Sequence, residues 1–289
     1  SVHVFSASPI LTMIEEQCAA ALCERVGYSP QADGITMPGG AASNTLGVQV
    51  ALLQKFGGVY RRGCSYALMK AYREQHGRVE RGAYPAILTS ASAHFSIARA
   101  AVAAGLGTDA VVHIRTDAHG RMDVRELERM CAEMQADPAH PQGVPLIVCA
   151  TSGTTVLGAF DDVAAIAEVC RKYDLWLHVD ASWGGAAAFL PHDAPERSVL
   201  AGLENAHSIT INPHKLLGVT HQCSFLLVHD KSVLIPPSHS DGGYLFHAPA
   251  EDALDMATKT LGCGRRGDAL KFYLVWLRYG TQGLGDHIA

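Results

Sequence analysis

The sequence has no dense run of one charge, no apolar stretch of membrane length and no paired-cysteine spacing. Lysine and arginine number 23 against 28 aspartates and glutamates, a net charge of −5. The nearest things to basic clusters are Arg61-Arg62 and Arg265-Arg266, too short for a nucleic-acid footprint. No apolar run approaches the roughly 20 residues a membrane helix requires, and no signal segment is legible at the start, so a cytoplasmic location is expected. The eight cysteines include no CxxC pair. Cys18, Cys23, Cys131 and Cys170 fall in helical patterns, Cys149 falls in a strand pattern, and Cys263 precedes Gly264-Arg265. Reduced, buried thiols are therefore expected, with neither a disulfide framework nor a metal site.

What is present is a large apolar fraction, 48% of 289 residues against 18% charged, enough for a sizeable core. Helical periodicity over residues 8–26, 41–56, 94–106, 122–136, 160–173 and 267–280 alternates with strand-like runs. Those runs are 84–90, 110–115, 144–151, 175–180, 207–212 and 224–229. Asp123, with Glu126 three residues on, reads as a helix cap. In the helix at 160–173, Phe160, Val163, Ala164, Ala167 and Cys170 share one face. Pro and polar residues mark 137–143 and 192–198 as surface loops. Several strands are apolar throughout, the mark of a sheet covered on both faces. Alternating strands and helices predict an α/β fold with a mostly parallel central sheet.

In such a sheet ligands bind at the carboxyl ends of the strands. Asp180 ends one strand, and Asn212-Pro213-His214-Lys215 ends another. The run TSGTT follows a third, and His94 lies just past a fourth. The loop MPGGAASN (37–44) opens a helix whose N-terminal N–H groups suit a phosphate. Singly, each has an ordinary reading: a solvated loop lysine, a capping or loop carboxylate, a structural histidine, a common glycine turn. Together they suit pyridoxal phosphate: a lysine for a Schiff base, a carboxylate for a ring nitrogen, an imidazole to stack and a helix start for phosphate.

The segments HVDASWGG (178–185), INPHKLLGV (211–219) and ATSGTTVLGAFD (150–161) resemble signature stretches of the group II pyridoxal-phosphate-dependent amino acid decarboxylases. DGITMPGGAASN (33–44), SAHFS (92–96), GRMDVRELE (120–128) and HQCSFLLVHD (221–230) place the likeness nearest the glutamate and cysteine sulfinate branch. The likeness runs from about residue 5 to residue 287. It implies the fold type I large domain of the aspartate aminotransferase kind, and Lys215 as the Schiff-base lysine. It also implies Asp180 at the pyridine nitrogen and His94 stacked on the ring. Ala41, Ala42 and Ser43 would be at the phosphate with Asn212 and His214, and Thr155 would lie close to the ring. The implied activity is decarboxylation of an acidic amino acid to its amine and CO2, by a homodimer.

Three departures accompany the resemblance. Family members carry further segments on both sides of this stretch, so residues 1–289 read as a large cofactor domain, a piece of a longer protein that begins at Ser1 rather than Met. The loop at 247–266 contains no tyrosine, whereas the family's carries one thought to reprotonate the substrate carbon. Tyr244 precedes the loop at a position the family shares, and His247 is a substitute donor. Ser182 stands where the family mostly has alanine, behind the ring. The missing tyrosine admits an aldehyde synthase as an alternative. The missing segments admit a non-catalytic homologue.

Overall fold

The computed structural model describes residues 2, 5–56, 85–137, 140–234, 256–260, 262 and 264–289. Seven strands form one sheet: β1 (Asp33–Met37), β2 (Pro85–Ser90), β3 (Val111–Ile114), β4 (Val144–Thr151), β5 (Trp176–Asp180), β6 (Ser208–Ile211) and β7 (Ser224–Val228). Their spatial order is β1-β7-β6-β5-β4-β2-β3. The pairs from β3 through β6 are parallel. The pairs β6–β7 and β7–β1 are antiparallel. The mostly parallel α/β sheet anticipated from the sequence is therefore present, with an antiparallel edge.

Helices cover both faces. α1 (Pro9–Arg25), α4 (Val124–Ala136), α5 (Val163–Lys172) and α6 (Ala269–Ile288) pack on one side. α2 (Gly40–Lys55) and α3 (Ser96–Ala103) pack on the other. β2, β5, β6 and β7 are buried at every position. Burial on both faces explains the apolar stretches of β2 and β7; β5 and β6 alternate instead, with His178, Asp180, Ser208 and Thr210 buried as polar side chains. Along β5 the side chains still alternate between faces: Leu177 and Val179 join the core under α1, α4 and α5, and Trp176 joins that under α2.

Local chemistry sets the helix starts. The Asp123 side chain accepts from the N–H groups of Arg125 and Glu126, as the capping pattern required. α5 begins at Val163, not 160, because Asp162 caps it. Asp161 is instead buried and accepts from Met122 N (2.6 Å) and Thr151 N (2.8 Å). Ala164 is consequently exposed rather than on the apolar face. Two other expectations shift. β1 was not anticipated as a strand, since DGITM is short and carries Asp and Gly; its pairing with β7 makes it one. The last helical element continues past Gly280, where φ 67° and ψ 176° break the helix, to Ile288. Part of the 192–198 loop forms a 3-10 turn, Pro195–Leu200.

The six described cysteines are free and buried, and no group of metal-ligating side chains forms among the described residues. Among the described residues, no helix is long and apolar enough to cross a membrane.

Candidate active site

The carboxyl ends of β4, β5 and β6, the start of α2 and the approach to α3 enclose a cavity of about 260 Å3. Its walls include Ala41, His94, Thr155, Asp180, Ser182, Asn212, His214 and Lys215. Ala42 instead lines a neighbouring cavity of about 520 Å3. The Ser43 side chain is buried, 2.7 Å from Ser224 Oγ. His247 and Tyr244 lie outside the described residues.

Lys215 sits on a tight turn after β6. Its N–H donates to Asn212 O (3.0 Å), and its carbonyl accepts from Gly218 N (3.1 Å). Leu217 and Val219, both buried, anchor the following segment. His214 ties the turn to Cys223, just before β7: its N–H donates to Cys223 O (3.3 Å), and its Nδ1 lies 2.5 Å from Cys223 O and 3.1 Å from Cys223 N. The turn leaves Lys215 half-buried, with Nζ 5.8 Å from the centre of the Trp183 ring. Burial lowers the pKa of its ammonium from the ordinary lysine value, while the charge of Asp180 opposes the shift.

Asp180 ends β5 and is buried. Its Oδ1 accepts from Ser182 N (3.0 Å) and its Oδ2 from Asn44 Nδ2 (2.8 Å). His94 precedes α3. Its Nδ1 accepts from Ser96 N (3.2 Å), and its ring lies against Phe95, with centroids 4.1 Å apart. Burial lowers its pKa, Asp180 raises it, and Lys215 and Arg99 lower it further. With Nδ1 accepting, the neutral ring carries its proton on Nε2.

The start of α2 is shaped for an anion. Ala42 N and Ser43 N both donate to Gly39 O (3.0 and 3.1 Å). That leaves the N–H groups of Gly40 and Ala41, the first two of the helix, without intrahelical acceptors. A Cβ at position 40 would lie 2.6 Å from Asn212 Nδ2 and 2.8 Å from Ser182 Oγ, so a larger residue there must displace those two side chains. Ser224 Oγ donates to Asn212 Oδ1 (2.6 Å), which turns the Asn212 amide N–H toward this helix start. The sequence named Ala41, Ala42 and Ser43: the Ala41 N–H is free, those of Ala42 and Ser43 are bonded to Gly39 O, and Gly40 was not named.

The cavity wall also holds Thr151 and Gly153 of the TSGTT run and Asn44 of the MPGGAASN loop, stretches the sequence placed at the strand ends without naming these residues, together with Ser96 and His221. His221 stands edge-on to His214, with ring centroids 4.2 Å apart. Asn44 lies one helical turn from Gly40, so an amphipathic reading of α2 that included its polar positions could have found it.

A cofactor can be tested against these walls. The cavity falls just under the roughly 300–1,000 Å3 typical of small-molecule sites, which suits a compact single-ring group. Unpaired helix-start N–H groups and the Asn212 amide meet a phosphate, the Asp180 carboxylate meets a basic ring nitrogen, and Lys215 offers an amine. The groups fit pyridoxal phosphate.

Fold and site thus mark the class: an α/β domain with the large-domain architecture of pyridoxal-phosphate enzymes. Residues 2–289 match the pyridoxal-dependent decarboxylase conserved domain. The chain belongs to the pyridoxal-dependent decarboxylase family, whose cofactor is pyridoxal phosphate. It is 40% identical over 292 aligned residues to an L-aspartate decarboxylase of Metarhizium robertsii, covering 100% of this chain and 53% of that protein. The human cysteine sulfinic acid decarboxylase is also 40% identical, covering 100% of this chain and 54% of its own length. The crystal structure of mouse CSAD superposes with a TM-score of 0.85 at 36% identity, over 99% of this chain and 55% of that one. The chain spans about half the length of the curated relatives it matches.

Proposed function

We propose that this chain is the cofactor-binding domain of an enzyme that decarboxylates an acidic amino acid, such as aspartate, cysteine sulfinate or glutamate, to its amine and CO2. The observation that carries the reading is the meeting of Lys215, Asp180, His94 and the α2 start around one cavity. The names of the relatives support the acidic substrate class.

When bound, pyridoxal phosphate supplies an electron sink for the pair left on the substrate carbon as CO2 departs. The chain's residues do the rest. Gly40 N–H, Ala41 N–H and Asn212 Nδ2 would hold the phosphate, assisted by the positive end of the α2 dipole. Asp180, pinned by Asn44 and Ser182 N, keeps a proton on the ring nitrogen. His94 and Ser182, both in the cavity wall, would flank the ring. Lys215 tethers the cofactor through its side-chain amine; burial makes the neutral, nucleophilic form more accessible. Thr155 closes the rim. Among the described residues, His94, His214, His221 and Lys215 face the cavity and can carry a proton.

The test is the visible absorbance of the chain with added pyridoxal phosphate, before and after borohydride, followed by CO2 release from the three acids. A band that borohydride fixes on Lys215 and that Lys215→Ala abolishes is expected, together with CO2 from at least one acid. A chain that carries the cofactor on Lys215 yet releases CO2 from none of them would overturn the reading.

A second reading rests on the tyrosine-free sequence of 247–266: decarboxylation with oxidative deamination to an aldehyde. There O2 takes two electrons and two protons to become hydrogen peroxide, and water replaces the nitrogen at the substrate carbon to give the aldehyde and ammonia. Peroxide and aldehyde in step with CO2 would favour it. We also place the whole protein in the cytoplasm as a homodimer, consistent with free buried cysteines and with exposed Phe95, Val156, Leu157 and Trp183 next to cavity-lining residues.

A further inference from the structure

The sheet face beneath α2 carries a file of buried side chains that leads to Asn44 and Asp180, and in it Trp176, His178 and Ser208 have no role above. Trp176, His178 and Asp180 point to the same face of β5. His178 pairs in register with Ser208 of β6, and Asp180 with Thr210. Trp176 Nε1 donates to Ser208 Oγ at 3.0 Å. Ser208 Oγ lies 2.8 Å from His178 Nδ1, and His178 Nε2 lies 3.0 Å from Asn44 Oδ1. Asn44 Nδ2 reaches Asp180 Oδ2 at 2.8 Å and Ser96 Oγ at 2.9 Å. All of these residues are buried.

The series has one direction. An indole N–H only donates, so Ser208 Oγ accepts from Trp176; at the other end the acceptor-only Asp180 takes the Asn44 NH2, which leaves the Asn44 carbonyl for His178 Nε2 and so assigns the Ser208 proton to His178 Nδ1. His178 then carries its proton on Nε2 and gives it to Asn44 Oδ1. Thr210 Oγ1, 3.5 Å from the same nitrogen, is a more distant second acceptor. With its carbonyl so engaged, Asn44 presents its NH2 to Asp180, an acceptor. Burial holds His178 neutral by lowering its pKa to about 4, against the opposing charge of Asp180. α2 is fitted to the ring: a Cβ on Gly47 would lie 2.8 Å from His178 Cε1.

We propose that His178 is a positioning residue, locked as the Nε2–H tautomer by Trp176 and Ser208, which orients Asn44 so that its amide N–H rather than its carbonyl faces Asp180. Its consequence for the cofactor rests on the reading of Asp180 as the partner of the ring nitrogen. Asn44 turned the other way would set its carbonyl oxygen against the Asp180 carboxylate. One donor would be lost and a repulsion gained at the group that holds the ring proton.

Two measurements test this. Nitrogen NMR of the chain labelled at histidine, without cofactor, reads the tautomer directly; a bare Nδ1 and protonated Nε2 on His178 are expected, and the opposite tautomer would overturn the proposal. The second compares Ser208→Ala, His178→Leu and His178→Gln by cofactor dissociation constant and by the pH at which the bound cofactor's visible absorbance titrates. Glutamine can both accept from Ser208 and donate to Asn44, whereas leucine can do neither. Loss of a hydrogen bond to a charged group predicts roughly ten- to a hundredfold weaker cofactor binding in His178→Leu, a displaced titration in His178→Leu and Ser208→Ala, and recovery in His178→Gln. Unchanged titration and affinity in folded Ser208→Ala and His178→Leu would overturn it. A chain that bound no cofactor at all would sink the functional reading and leave the tautomer measurement to decide this one.

Discussion

At the scale of single residues, burial decides protonation. His178 and His207 both have pKa values lowered to about 4, chiefly by loss of solvent. His207 accepts from Leu177 N at 2.9 Å and stacks on Trp176 at 4.8 Å, an arrangement made for a neutral ring. Between an ordinary histidine value of 6.5 and about 4, the unfolded chain binds protons that the folded chain refuses. Stability is therefore full above the unfolded value and is lost as pH falls toward about 4. For fully buried His178 the loss is on the order of 3 kcal/mol across the window. Denaturant melts at pH 7 and pH 5 check this, with a lower midpoint expected at pH 5; equal midpoints would contradict it. The same desolvation acts on Lys215, which the sequence could flag only as a lysine after a strand.

At the scale of elements, α2 carries the most constraints. It begins on a glycine whose Cβ would push on Asn212 and Ser182, presents Asn44 to Asp180 and lays Gly47 against His178. In an ordinary helix interior, Gly→Ala stabilises by up to about 1 kcal/mol. At position 47 the new methyl meets the His178 ring at 2.8 Å, and that ring is hydrogen-bonded on both nitrogens. Overpacking of this kind costs about 1–3 kcal/mol. Gly47→Ala is expected to lower the melting temperature and weaken cofactor binding together. A rise in melting temperature would show that the ring yields. Helix starts set by local chemistry were legible in the sequence, as at Asp123. The start of α5 was not: Asp161 and Asp162 look alike in sequence, and only tertiary packing buries one and leaves the other to cap.

At the scale of the whole molecule, ion pairs tie the segment before α6 to the start of the fold. Glu15, fully buried in α1, accepts from Thr36 N (2.8 Å), Thr36 Oγ1 (2.7 Å) and Arg265 Nη1 (2.7 Å). Lys259 bridges Glu16 (2.6 Å) and Asp33 (2.7 Å). Removing one partner of a buried pair strands the other charge at roughly 3–5 kcal/mol. Arg265→Leu is expected to destabilise by that order in denaturant melts, and a change within about 0.5 kcal/mol, the range of ordinary surface substitutions, would contradict it. On the surface, Ile10 and Met13 of α1 and Leu274, Leu277 and Tyr279 of α6 are exposed, as are Phe95, Val156, Leu157 and Trp183 near the cavity. Apolar surface of this kind drives association. Residues 1–289 alone are expected to self-associate on sizing; a monodisperse, stable monomer would argue against both that and the proposed dimer.

The sequence by itself determined the α/β class, the strands buried on both faces and the residue types that collect at their carboxyl ends, because apolar periodicity and short capping motifs are local properties. It named Lys215, Asp180, His94, Asn212 and His214, which the fold brings to one cavity. Only the tertiary structure decided which helix-start amides are free, Gly40 and Ala41 rather than Ala42 and Ser43, since that depends on where the first turn closes on Gly39. Likewise, the path from Trp176 through Ser208, His178 and Asn44 to Asp180 joins residues up to 164 positions apart in the chain, from Asn44 to Ser208. Its direction follows from donors and acceptors that meet only when β5, β6 and α2 pack together.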